Sequence, residues 1–99
     1  MFLRNLAANL IRTGKIETTE VRAKAVRPAV ERFVTIAKHG DLAARRLLLA
    51  RLHNKTIVER LMHDLGPRYA ERNGGYLRIR KLTAVRKRDG TRMAVIEFV

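Results

Sequence analysis

The 99 residues carry 22 Lys/Arg against 9 Asp/Glu, a formal net charge of +13. That is one domain's length, and its self-repulsion points to a polyanionic partner, nucleic acid before others. With no cysteine, disulfides and thiolate metal sites are excluded. No apolar run approaches the roughly 20 residues that span a bilayer, and the start lacks a signal-peptide pattern, so no membrane partner and a cytoplasmic location are expected.

Along the chain, Phe2, Leu3, Leu6, Ala7, Leu10 and Ile11 form one helical stripe, with Arg12 in the last turn and Gly14 closing it. Lys15 to Thr19 alternates as a brief strand. Thr19 then caps a long helix whose Val26, Ala29, Val30, Phe33, Val34 and Ala37 recur at helical spacing. Pro28 inside it predicts a kink or short break. The polar face of this helix carries Arg22, Lys24, Arg27, Glu31, Arg32 and Lys38. Asp41 caps a third helix over 42–52, with Ala44, Leu47, Leu48 and Leu52 inward and Arg45 and Arg46 pointing away. Asn54 caps a fourth over 55–65, with Ile57, Val58, Leu61, Met62 and Leu65 as its apolar side. Gly66, read as a left-handed closing residue, ends it before Pro67.

The segment from residue 65 to 82, LGPRYAERNGGYLRIRKL, passes from helix through Asn73-Gly74-Gly75 into a strand. Its period of two puts Leu77 and Ile79 on one face, Arg78 and Arg80 on the other. Arg86-Lys87-Arg88 with Asp89-Gly90 reads as a basic hairpin loop. A last strand from Arg92 to Phe98 follows, with Ala94, Ile96 and Phe98 on one face.

Residues 66–92 hold nine Lys/Arg and two Asp/Glu. Arg68, Arg72, Arg78 and Arg80 offer forks that match phosphate, and Tyr69 and Tyr76 offer rings on which bases can stack. The histidines at 39, 53 and 63 make no compact ligand set, no carboxylates pair for acid–base work, and Gly74-Gly75 lacks the Lys-Ser/Thr of a phosphate loop. No enzyme, metal, cofactor or small-molecule substrate is therefore expected.

LGPRYAERNGGYLRIRKL followed by DGTRMAVIEFV, with RNLAANLIRTGKIETTEVRAKAVRP and AKHGDLAARRLLLARL before it, resembles the bacterial large-subunit ribosomal protein L-seventeen family. The likeness covers essentially the whole chain. It implies a helix–strand–three-helix–two-strand domain bound to 23S ribosomal RNA near the nascent-chain exit tunnel, among neighbouring large-subunit proteins. The matching positions imply RNA contact by Arg4, Asn5, Lys15, Lys24, Arg45, Arg46, Arg68 and Arg72, with Gly74, Gly75 and Tyr76 shaping the turn. Members of that family usually begin with a basic arm that this sequence lacks.

The expected fold is α+β in two layers, helices packed on a small mixed three-stranded sheet. The expected function is an RNA-binding structural part of the large subunit. The rival is a DNA-binding regulator in which helices 42–52 and 55–65 mimic a helix-turn-helix.

Overall fold

A computed structural model of the chain describes residues 2–85 and 90–99. Helix α1 (Phe2–Thr13) leads into strand β1 (Lys15–Thr19) and the long helix α2 (Glu20–Ala37). Helices α3 (Leu42–Leu52) and α4 (Lys55–Arg60) follow, then a π-helical turn (Leu61–Leu65) and a last helical turn, α5 (Gly66–Arg68). Strands β2 (Leu77–Val85) and β3 (Arg92–Phe98) complete it. The strand order is β1-β3-β2, and both pairings are antiparallel. The sheet is thus not mixed as expected: β3 returns from the hairpin beside β2 and inserts between it and β1, opposing both.

The caps fall where the sequence places them. Thr19 Oγ1 accepts from Arg22 N at 3.2 Å, Asp41 Oδ1 from Ala44 N at 2.8 Å, and Asn54 Oδ1 from Ile57 N at 3.1 Å. Each supplies an acceptor to a helix-end N–H that has no partner within the helix. Ala7, Leu10 and Ile11 of α1, Ala23, Val26, Val30 and Val34 of α2, and Leu48, Val58, Leu61 and Leu65 join Ala94 and Ile96 of the sheet in one core.

Two expectations change. α2 runs unbroken through Pro28. The proline lies on the exposed side, where water can serve the carbonyl it leaves unpaired, while buried Ala23, Val26, Val30 and Val34 hold both halves to one core. Gly66 is not a left-handed cap: its backbone is helical (φ −57°, ψ −56°), and its N–H reaches Leu61 O across the π turn. A Cβ at Gly66 would lie 2.8 Å from Ala37 O, so glycine lets this segment approach the end of α2.

Candidate nucleic-acid interface

Cross-strand partners share a sheet face, so the register decides which charges meet. It aligns Lys15, Glu97 and Arg78 in one row, and Glu17, Val95 and Arg80 in the next. These rows face away from the core, because the intervening row of Ile16, Ile96 and Ile79 packs on the helices. Glu97 stands at the centre, its side chain only 15% exposed. It accepts from Arg78 Nη2 at 3.4 Å, and from Arg80 Nε and Nη2 at 3.3 and 3.2 Å. Partial burial pushes the Glu97 carboxyl up, but the hydrogen bonds and charges of Arg80 and Arg78 outweigh this and hold it below the usual carboxylate range. The two arginine side chains stay 63% and 56% exposed. One carboxylate thus fixes two guanidinium groups, leaves a net positive charge, and keeps much of both forks open to solvent.

The same device recurs. Asp64 lies between Arg60 at 3.3 Å and Arg68 at 2.9 Å. Glu20 lies between Lys24 at 3.1 Å and Lys81 at 3.5 Å, and Glu59 between Arg45 and His63. The Lys24 hydrogen bond lowers the Glu20 carboxyl, and the Arg45 hydrogen bond lowers that of Glu59, in both cases against a smaller rise from desolvation. By contrast, Arg4, Lys15, Arg32, Arg46, Arg51, Lys55 and Arg72 have no acidic partner among the described residues.

The turn before β2 is held from α2. Glu31 Oε1 accepts from Gly75 N and Glu31 Oε2 from Leu77 N, both at 3.1 Å, while Arg27 donates to Leu77 O at 3.3 Å. Gly74 and Gly75 both have positive φ, +84° and +64°, which permits the chain to reverse there. Lys38 Nζ donates to Arg72 O and, at 3.0 Å, to the Tyr76 hydroxyl. The backbone that carries Arg72 and leads into Arg78 is therefore held by side chains 34 to 50 residues earlier.

Both tyrosines correct the sequence reading. Tyr76 is 1% exposed and Tyr69 5%, so neither ring offers a face to a base. They pack together at 5.2 Å between centroids, and Tyr69 stacks on Phe98 at 6.2 Å. Their hydroxyls are also occupied: Tyr69 donates to Val99 O at 2.5 Å, and Tyr76 meets Thr35 Oγ1 at 3.2 Å. Large rings beside a short sheet are worth more as core than as platforms, provided each hydroxyl finds a partner.

The remaining candidates divide. Arg4 and Asn5 are exposed on α1, Arg22 and Lys24 on α2, and Arg46, Arg68 and Arg72 on the later helices and turn. Arg45 is drawn into its pair with Glu59, and Arg86, Lys87 and Arg88 lie outside the described residues. Glu31, Lys38 and Glu97, which organise the basic residues, were not singled out by the sequence. Only the strand alternation, which puts Glu97 on the face opposite Ile96, could have flagged one of them.

Helices α3 and α4 follow one another across a two-residue turn, but side chains that a recognition helix would present are engaged within the fold. On α4, Glu59 is paired with Arg45 and His63, and Arg60 donates to Ile11 O at 2.7 Å, so these residues brace the helix instead of projecting from it. No group of three or more His, Cys, Asp or Glu able to hold a metal occurs among the described residues.

Fold and surface thus define a small, strongly basic α+β scaffold whose acidic residues arrange its cations. The family model for ribosomal protein L17 matches residues 2–99. The chain is 52% identical over 99 residues to the large ribosomal subunit protein bL17 of Clostridioides difficile (strain 630), covering all of this chain and 87% of that protein. It is 48% identical over 97 residues to bL17 of Clostridium botulinum (strain Hall), covering 98% and 85%. Against bL17 of Moorella thermoacetica it is 48% identical over 99 residues, covering 100% and 88%. The chain belongs to the ribosomal protein L17 family, whose members are structural proteins of the large ribosomal subunit and not enzymes.

Proposed function

We propose that residues 1–99 act as a single RNA-binding domain that fastens 23S ribosomal RNA, near the nascent-chain exit tunnel, and adjoins other large-subunit proteins. The observation that carries the RNA reading is the outer sheet face, where Glu97 holds Arg78 and Arg80 in place beside Lys15. Phosphate oxygens are the ligands such forks fit, and folded RNA brings phosphates close enough to need several cations at once. The position near the tunnel rests on the family resemblance alone.

The mechanism is electrostatic. Arginines and lysines displace condensed counterions, and a rigid two-layer scaffold fixes where they lie. Readout is of RNA shape, because side chains cannot enter the narrow major groove of A-form helices. Hydroxyl-radical footprinting on a 23S transcript tests this. Protections gathered in one folded region, and weakened by Arg78→Ala with Arg80→Ala, are expected. Diffuse protection matched by an unrelated basic protein would overturn it.

A further inference from the structure

The outer edge of β2 begins on a substitute for a strand. Among the described residues, the order β1-β3-β2 gives β2 a neighbouring strand on one side alone. Val99 N donates to Tyr76 O at 2.9 Å, and Leu77 lies opposite Phe98. In an antiparallel pair this alternation turns the N–H and C=O of Leu77 away from β3, toward the open edge. Both are nevertheless served. Glu31 Oε2 accepts from Leu77 N at 3.1 Å, and Arg27 Nη2 donates to Leu77 O at 3.3 Å, as the C=O and N–H of a further strand would. The two side chains stand one turn apart on α2, 4.0 Å from each other. The second Glu31 oxygen accepts from Gly75 N at 3.1 Å, so one carboxylate grips both ends of the step from turn to strand.

We infer that Glu31, with Arg27, is a positioning residue for RNA binding: by gripping Gly75 and Leu77 it fixes the spacing between Arg72 before the turn and Arg78 and Arg80 after it. The inference rests on the RNA reading above. Gly74 and Gly75 lend the turn little stiffness of their own, since both take a positive φ that glycine samples freely. Stiffness must come from outside. Lys38, at the end of α2, holds the Arg72 side, and Glu31 holds the strand side. The three arginines are exposed, and Glu31 is partly buried. In a chain of net charge +13, an acidic side chain ordinarily opposes a polyanion. Glu31 acts by geometry, so removing its charge weakens RNA binding where simple electrostatics would tighten it.

Filter binding of the full chain to a structured 23S RNA fragment tests this, at a temperature where thermal melts show every variant folded. Glu31→Gln keeps one acceptor oxygen, but its amide group would meet the other N–H with a donor. Glu31→Asp keeps the charge and is too short to span both N–H groups. Each should weaken binding by about threefold or more, the scale of re-ordering one or two long side chains. Glu71→Gln is the control. Glu71 is exposed, beside Arg72, and has no basic partner among the described residues, so its loss should leave binding unchanged or tighter. Amide exchange at Gly75 and Leu77, followed by NMR, should quicken in both Glu31 variants. Equal or tighter binding by Glu31→Gln, a loss matched by Glu71→Gln, or unchanged exchange at both amides would overturn the inference. Such a result beside steep salt-dependent binding by the parent would leave the RNA reading standing. A parent that binds no structured RNA would remove that reading, and this inference with it.

Discussion

Two glycines show how unlike reasons can keep a position free of a side chain. Gly75 has φ +64° and open space around its missing Cβ, whereas Gly66 has ordinary helical angles and the Ala37 carbonyl 2.8 Å from where a Cβ would sit. Ala at Gly75 should cost about 1–2 kcal/mol through the left-handed backbone alone. Asn there should recover part of that, because its side chain tolerates this region. Ala at Gly66 should cost roughly 1–3 kcal/mol by overpacking, and Asn should be worse still. Urea melts of the four variants decide it. If Asn rescues both positions, Gly66 is a conformational glycine after all. In sequence the two look alike, as glycines at element boundaries, and only the approach of a distant segment separates them. The tyrosines teach the same lesson. Tyr69 and Tyr76 among arginines read as stacking platforms, and nothing local reveals that Val99, Thr35 and Lys38 wait for their hydroxyls.

Among the elements, the first half of β2 was the most legible, since alternation over 77–80 separates its faces without knowledge of any partner, until the register shifts past Lys81. Leu77 is 2% exposed, and truncation to Ala should cost about 2–5 kcal/mol. Losing Arg78 and Arg80 together is subtler than a change of two exposed residues. Glu97 would then keep its partial burial without its cations, so a small loss of stability is expected, most of it recovered by adding Glu97→Gln. The pH dependence follows from the same pair. The Glu97 carboxyl is held below its ordinary value of 4.5 in the folded chain. Its stabilising contribution is thus fully present above that value and fades as pH falls through the lower, folded one. Thermal melts from pH 6 to pH 3 should show a shallower acid decline in the arginine double variant than in the parent. An identical decline would mean that the pair does not couple to folding. The π turn after α4 had no such signature. It arises where Pro67 lacks a donor and Gly66 must face α2, a tertiary demand that apolar spacing does not record.

For the whole molecule, charge and architecture were largely legible, and the antiparallel pairing of β1 with β3 and the arrangement of the charges were not. Periodicity located the helices and the strands, because burial against one core imposes it. Composition gave the excess of +13 but could not show that Glu20, Glu59, Asp64 and Glu97 each stand between two basic side chains. That arrangement makes the surface more than a diffuse cloud of cations, and on the proposed function guanidinium groups positioned before RNA arrives would lose less freedom on binding. It also predicts where affinity should be concentrated. The most direct test is a salt titration of binding to a structured 23S RNA fragment, with the parent chain and with Arg78→Ala/Arg80→Ala side by side. The parent should weaken steeply, by roughly three to five decades between 50 and 200 mM salt if 6–10 phosphates are engaged. The double variant should bind more weakly, with its log–log slope reduced by about two, one unit for each phosphate contact removed. A flat response in the parent, or a slope unchanged by removing both arginines, would contradict the claim that these fixed cations hold the RNA.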